Sequence, residues 1–118
     1  MDTQKYADMV KVLKKPGQDI IDGLTPQKAD LWHHATGVAG EAGELVDAIK
    51  KAAIYGKTID IENVKEELGD LEFYMEGIRQ NLGITREETI QNNVGKLAIR
   101  YASKAYSDED AQRRADKA

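Results

Sequence analysis

No cysteine occurs among the 118 residues, which removes disulfides, thiolate zinc sites and cysteine nucleophiles together. No window approaches the ~18 consecutive apolar residues that a membrane-spanning helix needs. The start, MDTQKYADMVKVLKK, has no basic segment followed by an apolar one, so the expectation is a chain without a secretory signal and a cytoplasmic setting. Period-two alternation and Asn-Gly hairpin turns are missing, which leaves no strand signal. Phosphate-loop glycine motifs, nucleophile elbows and dinucleotide fingerprints are missing too, so covalent catalysis and the common nucleotide folds have no support. Positive charge is also in deficit: the net charge is −4, whereas a protein that tracks a nucleic-acid backbone carries a basic face. A polyanion handled by this chain therefore calls for a metal. With 41% hydrophobic and 32% charged residues, the length suits one domain, residues 1–118, with a core of modest size.

What is present is helical periodicity almost throughout. Tyr6, Met9, Val10 and Leu13 form an apolar stripe from about Thr3 to Lys15, which Pro16-Gly17 should end. Thr25 as N-cap and Pro26 at the first helical position open a second helix carrying Leu31, Ala35, Val38, Ala42, Leu45, Ile49 and Ala53. Asp60 caps a third, with Val64, Leu68, Leu71, Met75, Ile78 and Leu82, ended by Gly83. Thr85 and Glu88 have the spacing of a capping box ahead of Ile90, Val94, Leu97 and Tyr101, and Ser107 is placed to cap a short basic tail helix. The expected fold is all-α: an antiparallel bundle of about four main helices plus a short C-terminal one, its motif-bearing core within residues 25–104.

Two pairs of acids interrupt the apolar stripes: Glu41 with Glu44, and Glu67 with Asp70. Neighbours three and four residues away on a helix could neutralise them, but around Glu41 they are Gly37, Val38, Glu44 and Leu45, and around Asp70 they are Glu66, Glu67, Phe73 and Tyr74. No cation is among these. Asp47, with Lys50 and Lys51 three and four positions on, shows an ordinary surface acid for contrast. Like charges so placed cost about 0.2–0.5 kcal/mol per pair before any burial penalty, and a multivalent cation reverses that sign. On consecutive antiparallel helices the two pairs can face each other as an all-oxygen cage suited to Mg²⁺ or Mn²⁺. A solvated acidic face is the plainer alternative, weakened by there being two pairs in apolar surroundings. Glycines at 37, 40, 43, 69 and 95 lie inside helices, where each costs about 1 kcal/mol relative to alanine. Close helix packing and backbone approach to a ligand or metal both account for them. Lys96 and Arg100 share one face of the fourth helix, where they could neutralise phosphate charge, and Asn93 lies one turn before them. Trp32 reads as a buried structural residue, His34 as a surface histidine, and Phe73 and Tyr74 as core.

The stretch LWHHATGVAGEAGELVDAIKKAAIYGK, then EELGDLEFYM, then NNVGKLAIRY, resembles the MazG-like branch of the all-α nucleoside triphosphate pyrophosphohydrolases. The resemblance covers Leu31 to Tyr101 and rests on the ordered combination of E-x-x-E, E-x-x-D and a K-x-x-x-R helix. It implies Mg²⁺-dependent cleavage between the α and β phosphates by a metal-activated water. On this likeness Glu41, Glu44, Glu67 and Asp70 are metal ligands and catalytic, Lys96 and Arg100 are basic substrate contacts, and His33 matches a histidine found ahead of the first motif. Where the family often opens that motif with a Glu-Glu doublet, Gly40 stands here. The expected substrate is a free nucleotide, with dGTP, dCTP or dUTP as candidates and nucleotide-pool house-cleaning as the role. No nucleic-acid polymer and no membrane is expected as partner, and the apolar stripes point to a homodimer or homotetramer. Two alternatives stand beside this: a phosphoribosyl-ATP pyrophosphohydrolase-like enzyme, and a non-catalytic helical regulator whose carboxylates merely bind cations. A di-iron bundle would need Glu-x-x-His on two helices, and the nearest match is a lone Asp30-x-x-His33.

Overall fold

A computed structural model describes residues 2–117. They form α1 (Thr3–Leu13), α2 (Gly17–Gly23), α3 (Pro26–Ala53), α4 (Ile61–Leu82), α5 (Arg86–Arg100), α6 (Asp108–Arg113) and a closing 3₁₀ turn (Ala115–Lys117). The fold is all-α, with no strand among the described residues.

The helices start where side chains can satisfy their first amides. Thr25 accepts from the Lys28 amide ahead of α3, and Asp60 accepts from Asn63 ahead of α4. Thr85 and Glu88 form the reciprocal capping box of α5. Gly83 closes α4 in the left-handed region at φ 69°, a conformation that glycine adopts without steric penalty.

Both ends of the chain differ from what periodicity suggests. The first helix stops at Leu13, and Lys14 is already extended. Pro16 then begins a further helix, α2, its carbonyl accepting from the Asp19 and Ile20 amides. The dipeptide that reads as a terminator is thus also a start signal, for a helix too short to show a period of its own. Ser107 does cap α6, but that helix opens on Asp108, Glu109 and Asp110, with Arg113 in its last turn. Acids first and a base last is the order the helix dipole favours, so the tail helix is not simply basic.

Extensive helix-on-helix packing is confined to α3 against α4, which run antiparallel across the short connection 54–60. Two glycines set their spacing. A Cβ at Gly37 would overlap the Tyr74 ring, and one at Gly77 would overlap the His34 imidazole. Each bare backbone receives an aromatic ring from the facing helix, which accounts for two interior glycines by close packing. At the far end the Asn81 amide donates to the Asp30 carboxylate at 2.7 Å and to the Gln27 carbonyl at 3.3 Å. Tyr74 and His34 are half-buried at this contact, whereas Trp32 is exposed and Phe73 is 68% exposed. Phe73 is therefore not a core residue but lies at the rim of the seam beside His34; Trp32 is not buried, because it faces away from α4, and His34 is no surface histidine, because its ring is seated on Gly77.

Little else is covered. Among the described residues Ala48 is the one buried apolar residue, and the buried charges are Arg79 and the side chain of Asp116. The surface is 9417 Å², against about 6,400 Å² for a compact monomer of this mass. The radius of gyration is 20.2 Å, where about 13–14 Å is usual for a chain of this length. The excess arises because α5 packs on α6 and the 3₁₀ turn instead of along the α3–α4 pair.

Gly37→Ala and Gly77→Ala should each lower the thermal unfolding midpoint. Forcing a methyl into a filled contact costs about 1–3 kcal/mol, more than the roughly 1 kcal/mol that helix propensity returns. A raised midpoint in either variant would show that the rings move aside freely.

Candidate metal centre

Glu67 and Asp70 stand three residues apart on the face of α4 that meets α3, and Glu41 comes from the middle of α3. Each offers a carboxylate oxygen, and these oxygens lie within 4.8 Å of one another. Glu41 and Glu67 are half-buried and Asp70 is exposed, so the trio has a closed side and an open side. Glu44 is on the same helix face one turn beyond Glu41, exposed and outside the close trio.

Three converging carboxylates repel, and the effect falls on Glu67. Its hydrogen bond with Glu41 is the largest cause, followed by burial and the charges of Glu41, Asp70 and Glu44, and together they push its carboxyl up to about 7. No cation is among the groups acting on it. Lysines elsewhere on the hairpin pair with other acids, Lys65 with Glu62 at 3.2 Å and Lys51 with Asp47 at 3.6 Å. One oxygen of Glu67, Oε2, is buried without any hydrogen-bond partner. A buried acceptor with no donor is unfavourable by about 1–3 kcal/mol in general. A hard divalent cation fits this donor set: it takes oxygen ligands, satisfies the orphaned oxygen and reverses the repulsion. Glu41, Glu67 and Asp70 could hold such an ion.

The remaining sequence candidates fall into two groups. His33 lies on α3 two turns ahead of Glu41, its ring edge-on to Tyr74 with centroids 6.1 Å apart, and Tyr74 is one turn beyond Asp70. It therefore shares the stretch of hairpin that carries the trio. Asn93, Lys96 and Arg100 sit on α5, which does not pack along that hairpin. Asn93 and Lys96 are exposed. The Arg100 guanidinium is held by both oxygens of Asp116, at 2.8 and 3.0 Å, and the Asp116 side chain is only 1% exposed. Arg100 in turn keeps the Asp116 carboxyl below the usual carboxylate range. That pairing had no sequence signal, since the partners are sixteen residues apart in separate elements.

A family model described as the MazG nucleotide pyrophosphohydrolase domain matches residues 33–103. The matched span contains all four motif acids, Glu41, Glu44, Glu67 and Asp70, together with Lys96 and Arg100. No curated protein and no solved structure matches the chain.

In the absence of divalent metal, stability should fall as pH rises. The Glu67 carboxyl titrates near 7 in the folded chain against 4.5 ordinarily, so its protonated form favours the fold below about pH 4.5 and that contribution is lost as pH climbs through 7. Thermal midpoints of the metal-free protein between pH 5 and 8 check this. Glu67→Gln, which cannot ionise, should flatten the decline, and an equal slope in both proteins would place the titration elsewhere.

Proposed function

The chain belongs to the MazG nucleotide pyrophosphohydrolase family, and on that premise we propose that it is a Mg²⁺-dependent nucleoside triphosphate pyrophosphohydrolase. It takes a free (deoxy)nucleoside triphosphate and releases the monophosphate and pyrophosphate, with Mn²⁺ accepted in place of Mg²⁺. The observation that carries the reading is the carboxylate trio of Glu41, Glu67 and Asp70 with its unpartnered buried oxygen. When bound, a divalent ion supplies Lewis-acid polarisation of the phosphate and lowers the pKa of water beside it. The chain's own contribution is to fix the oxygens that hold the ion: Glu41 from one helix, Glu67 and Asp70 from the other, Glu44 from the next turn. Glu67, the most strongly perturbed of the three, stands between Glu41 and Asp70, and ion binding would favour its ionised form. His33, beside Tyr74, is a contact for the nucleoside end.

The leaving pyrophosphate carries several negative charges and the hairpin has none of opposite sign near the trio. Lys96 and Arg100 are the cations assigned to that role, Arg100 only by exchanging its pairing with Asp116 for the phosphate, with Asn93 as a polar contact on the same helix. Since α5 stands away from the hairpin, a second copy of the chain is the source that brings them to it. The open architecture supports such an assembly. The surface exceeds that of a compact monomer by about 3,000 Å², within the scale of obligate interfaces. An apolar groove on α3, lined by Leu45, Val46, Ile49, Lys50, Ala53 and Ile54, is part of that excess. A homodimer, or a homotetramer built from two, is the proposed form. The setting is the nucleotide pool of the cytoplasm, and no helix among the described residues is long and apolar enough to cross a membrane.

Alanine at Glu41, Glu44, Glu67 or Asp70 should each reduce turnover by at least about 100-fold, since several kcal/mol of transition-state stabilisation depend on the ion. Excess EDTA should do the same to the native protein. Pyrophosphate, measured directly, should be the first product. Orthophosphate appearing first, or full activity in EDTA, would refute the assignment. Light scattering at micromolar concentration should give a dimer or tetramer, and a monomer would remove the second copy from the site.

A further inference from the structure

Beyond the trio along the same hairpin lies a cavity of about 260 Å³ lined by His34, Phe73, Glu76, Gly77 and Gln80. We propose that this cavity is a slot for a planar nucleobase bearing an exocyclic amino group, gripped by His34 and Phe73 and read at its edge by Glu76 and Gln80. It rests on the nucleotide reading above and adds to it the class of base.

The walls are two nearly parallel rings. His34 and Phe73 have centroids 6.4 Å apart and planes inclined by 26°. Stacked bases are spaced about 3.4 Å, so a base between two rings needs about 7 Å, slightly more than the present separation, and Phe73, which is 68% exposed, must move outward on binding. The floor is Gly77, where any side chain would collide with the imidazole. His34 itself is held in place by the hydrogen bond between Nδ1 and the Asp30 carbonyl at 2.8 Å. The volume is slightly below the ~300 Å³ at which pockets begin to take whole small molecules, so it suits a single ring system and not an entire nucleotide.

The rim presents acceptors. Arg79, 9% exposed and otherwise unused by the proposed reaction, donates from Nε to Glu76 Oε1 at 2.9 Å and lies 3.6 Å from Glu72. Gln80 donates to Glu76 Oε2 at 3.0 Å. Arg79 is thus a positioning residue that fixes the Glu76 carboxylate and keeps it ionised, and its carboxyl is held below the usual range chiefly by that contact. Each carboxylate oxygen retains a further lone pair, and the Gln80 carbonyl is an acceptor as well. Cytosine, guanine and adenine carry amino donors, whereas uracil and thymine present carbonyls instead. The position also fits one nucleotide. Phe73 and Gly77 are three and seven residues beyond Asp70, about 4.5 and 10 Å along the helix axis, the span from a phosphate at the trio to a base in the slot.

The test compares kcat/KM for dCTP against dUTP and for dGTP against dITP, pairs that differ chiefly at the amino group. The native protein should prefer the amino member by at least about 10-fold, as expected for a charged hydrogen bond worth ~1.5–3 kcal/mol. Glu76→Gln should move both ratios toward one while pyrophosphate is still released. Phe73→Leu, at an exposed position where folding is not at stake, should raise KM for every nucleotide and leave inhibition by inorganic triphosphate, which has no base, unchanged. Unchanged ratios in Glu76→Gln, an unchanged KM in Phe73→Leu, or a native preference for dUTP would overturn the slot alone. A native protein that releases no pyrophosphate from any nucleotide would overturn the activity and the slot together.

Discussion

The contact on which the rest depends is the close approach of α3 and α4, where Tyr74 lies over Gly37 and His34 over Gly77. Rings seated on bare backbone permit only one alignment of the two helices, because a shift by one residue would bring a ring against a Cβ. That alignment places Glu41 opposite Glu67 and Asp70. The ionised carboxylates oppose that approach, and Glu67 responds by holding its proton, chiefly through a hydrogen bond with Glu41. Packing a turn or two away therefore supplies the attraction that holds an electrostatically unfavourable cluster together, an arrangement common at functional sites, where local unfavourable energy is offset elsewhere.

Much of this was legible from residue spacing. Each acid pair falls on one helix face, and the lack of cations at three and four residues from Glu41 and Asp70 already separates them from surface acids such as Asp47, which does meet Lys51. The caps at Thr25, Asp60, Thr85 and Ser107 are local chemistry and were readable for that reason. What escaped was whatever depends on distance in space. α2 has too few apolar residues to show a period. Phe73 follows the acidic motif in an apolar run, yet one step of 100° around the helix separates it from Tyr74 and turns it outward. The Arg100–Asp116 pair joins elements that the sequence gives no reason to bring together. The glycines divide in the same way: Gly37 and Gly77 meet aromatic rings, whereas Gly40, Gly43, Gly69 and Gly95 meet nothing of their own chain within 4 Å.

The motif acids and the motif bases are kept on different helices. The hairpin carries the trio, while the basic residues that follow the second acidic motif are on α5, tied to the C-terminal segment. Had Lys96 or Arg100 packed beside Glu67 in the same chain, an ion pair would have formed and the cluster would have lost both its repulsion and its demand for a metal. Separation leaves the carboxylates without an intramolecular cation, the condition under which such a cluster could take a divalent ion.

The short connection between α3 and α4 has a kinetic consequence. Residues that touch across the hairpin are neighbours along the chain to within a few tens of positions, and such low contact order goes with folding in microseconds to milliseconds. The hairpin, with its acidic cluster already aligned, can thus assemble as the polypeptide emerges and before any bimolecular encounter takes place. Folding of the hairpin would then precede placement of α5 and α6, which pack on each other and not along it. During that interval the exposed stripes of α3 and α5 are what chaperones and proteases would meet first.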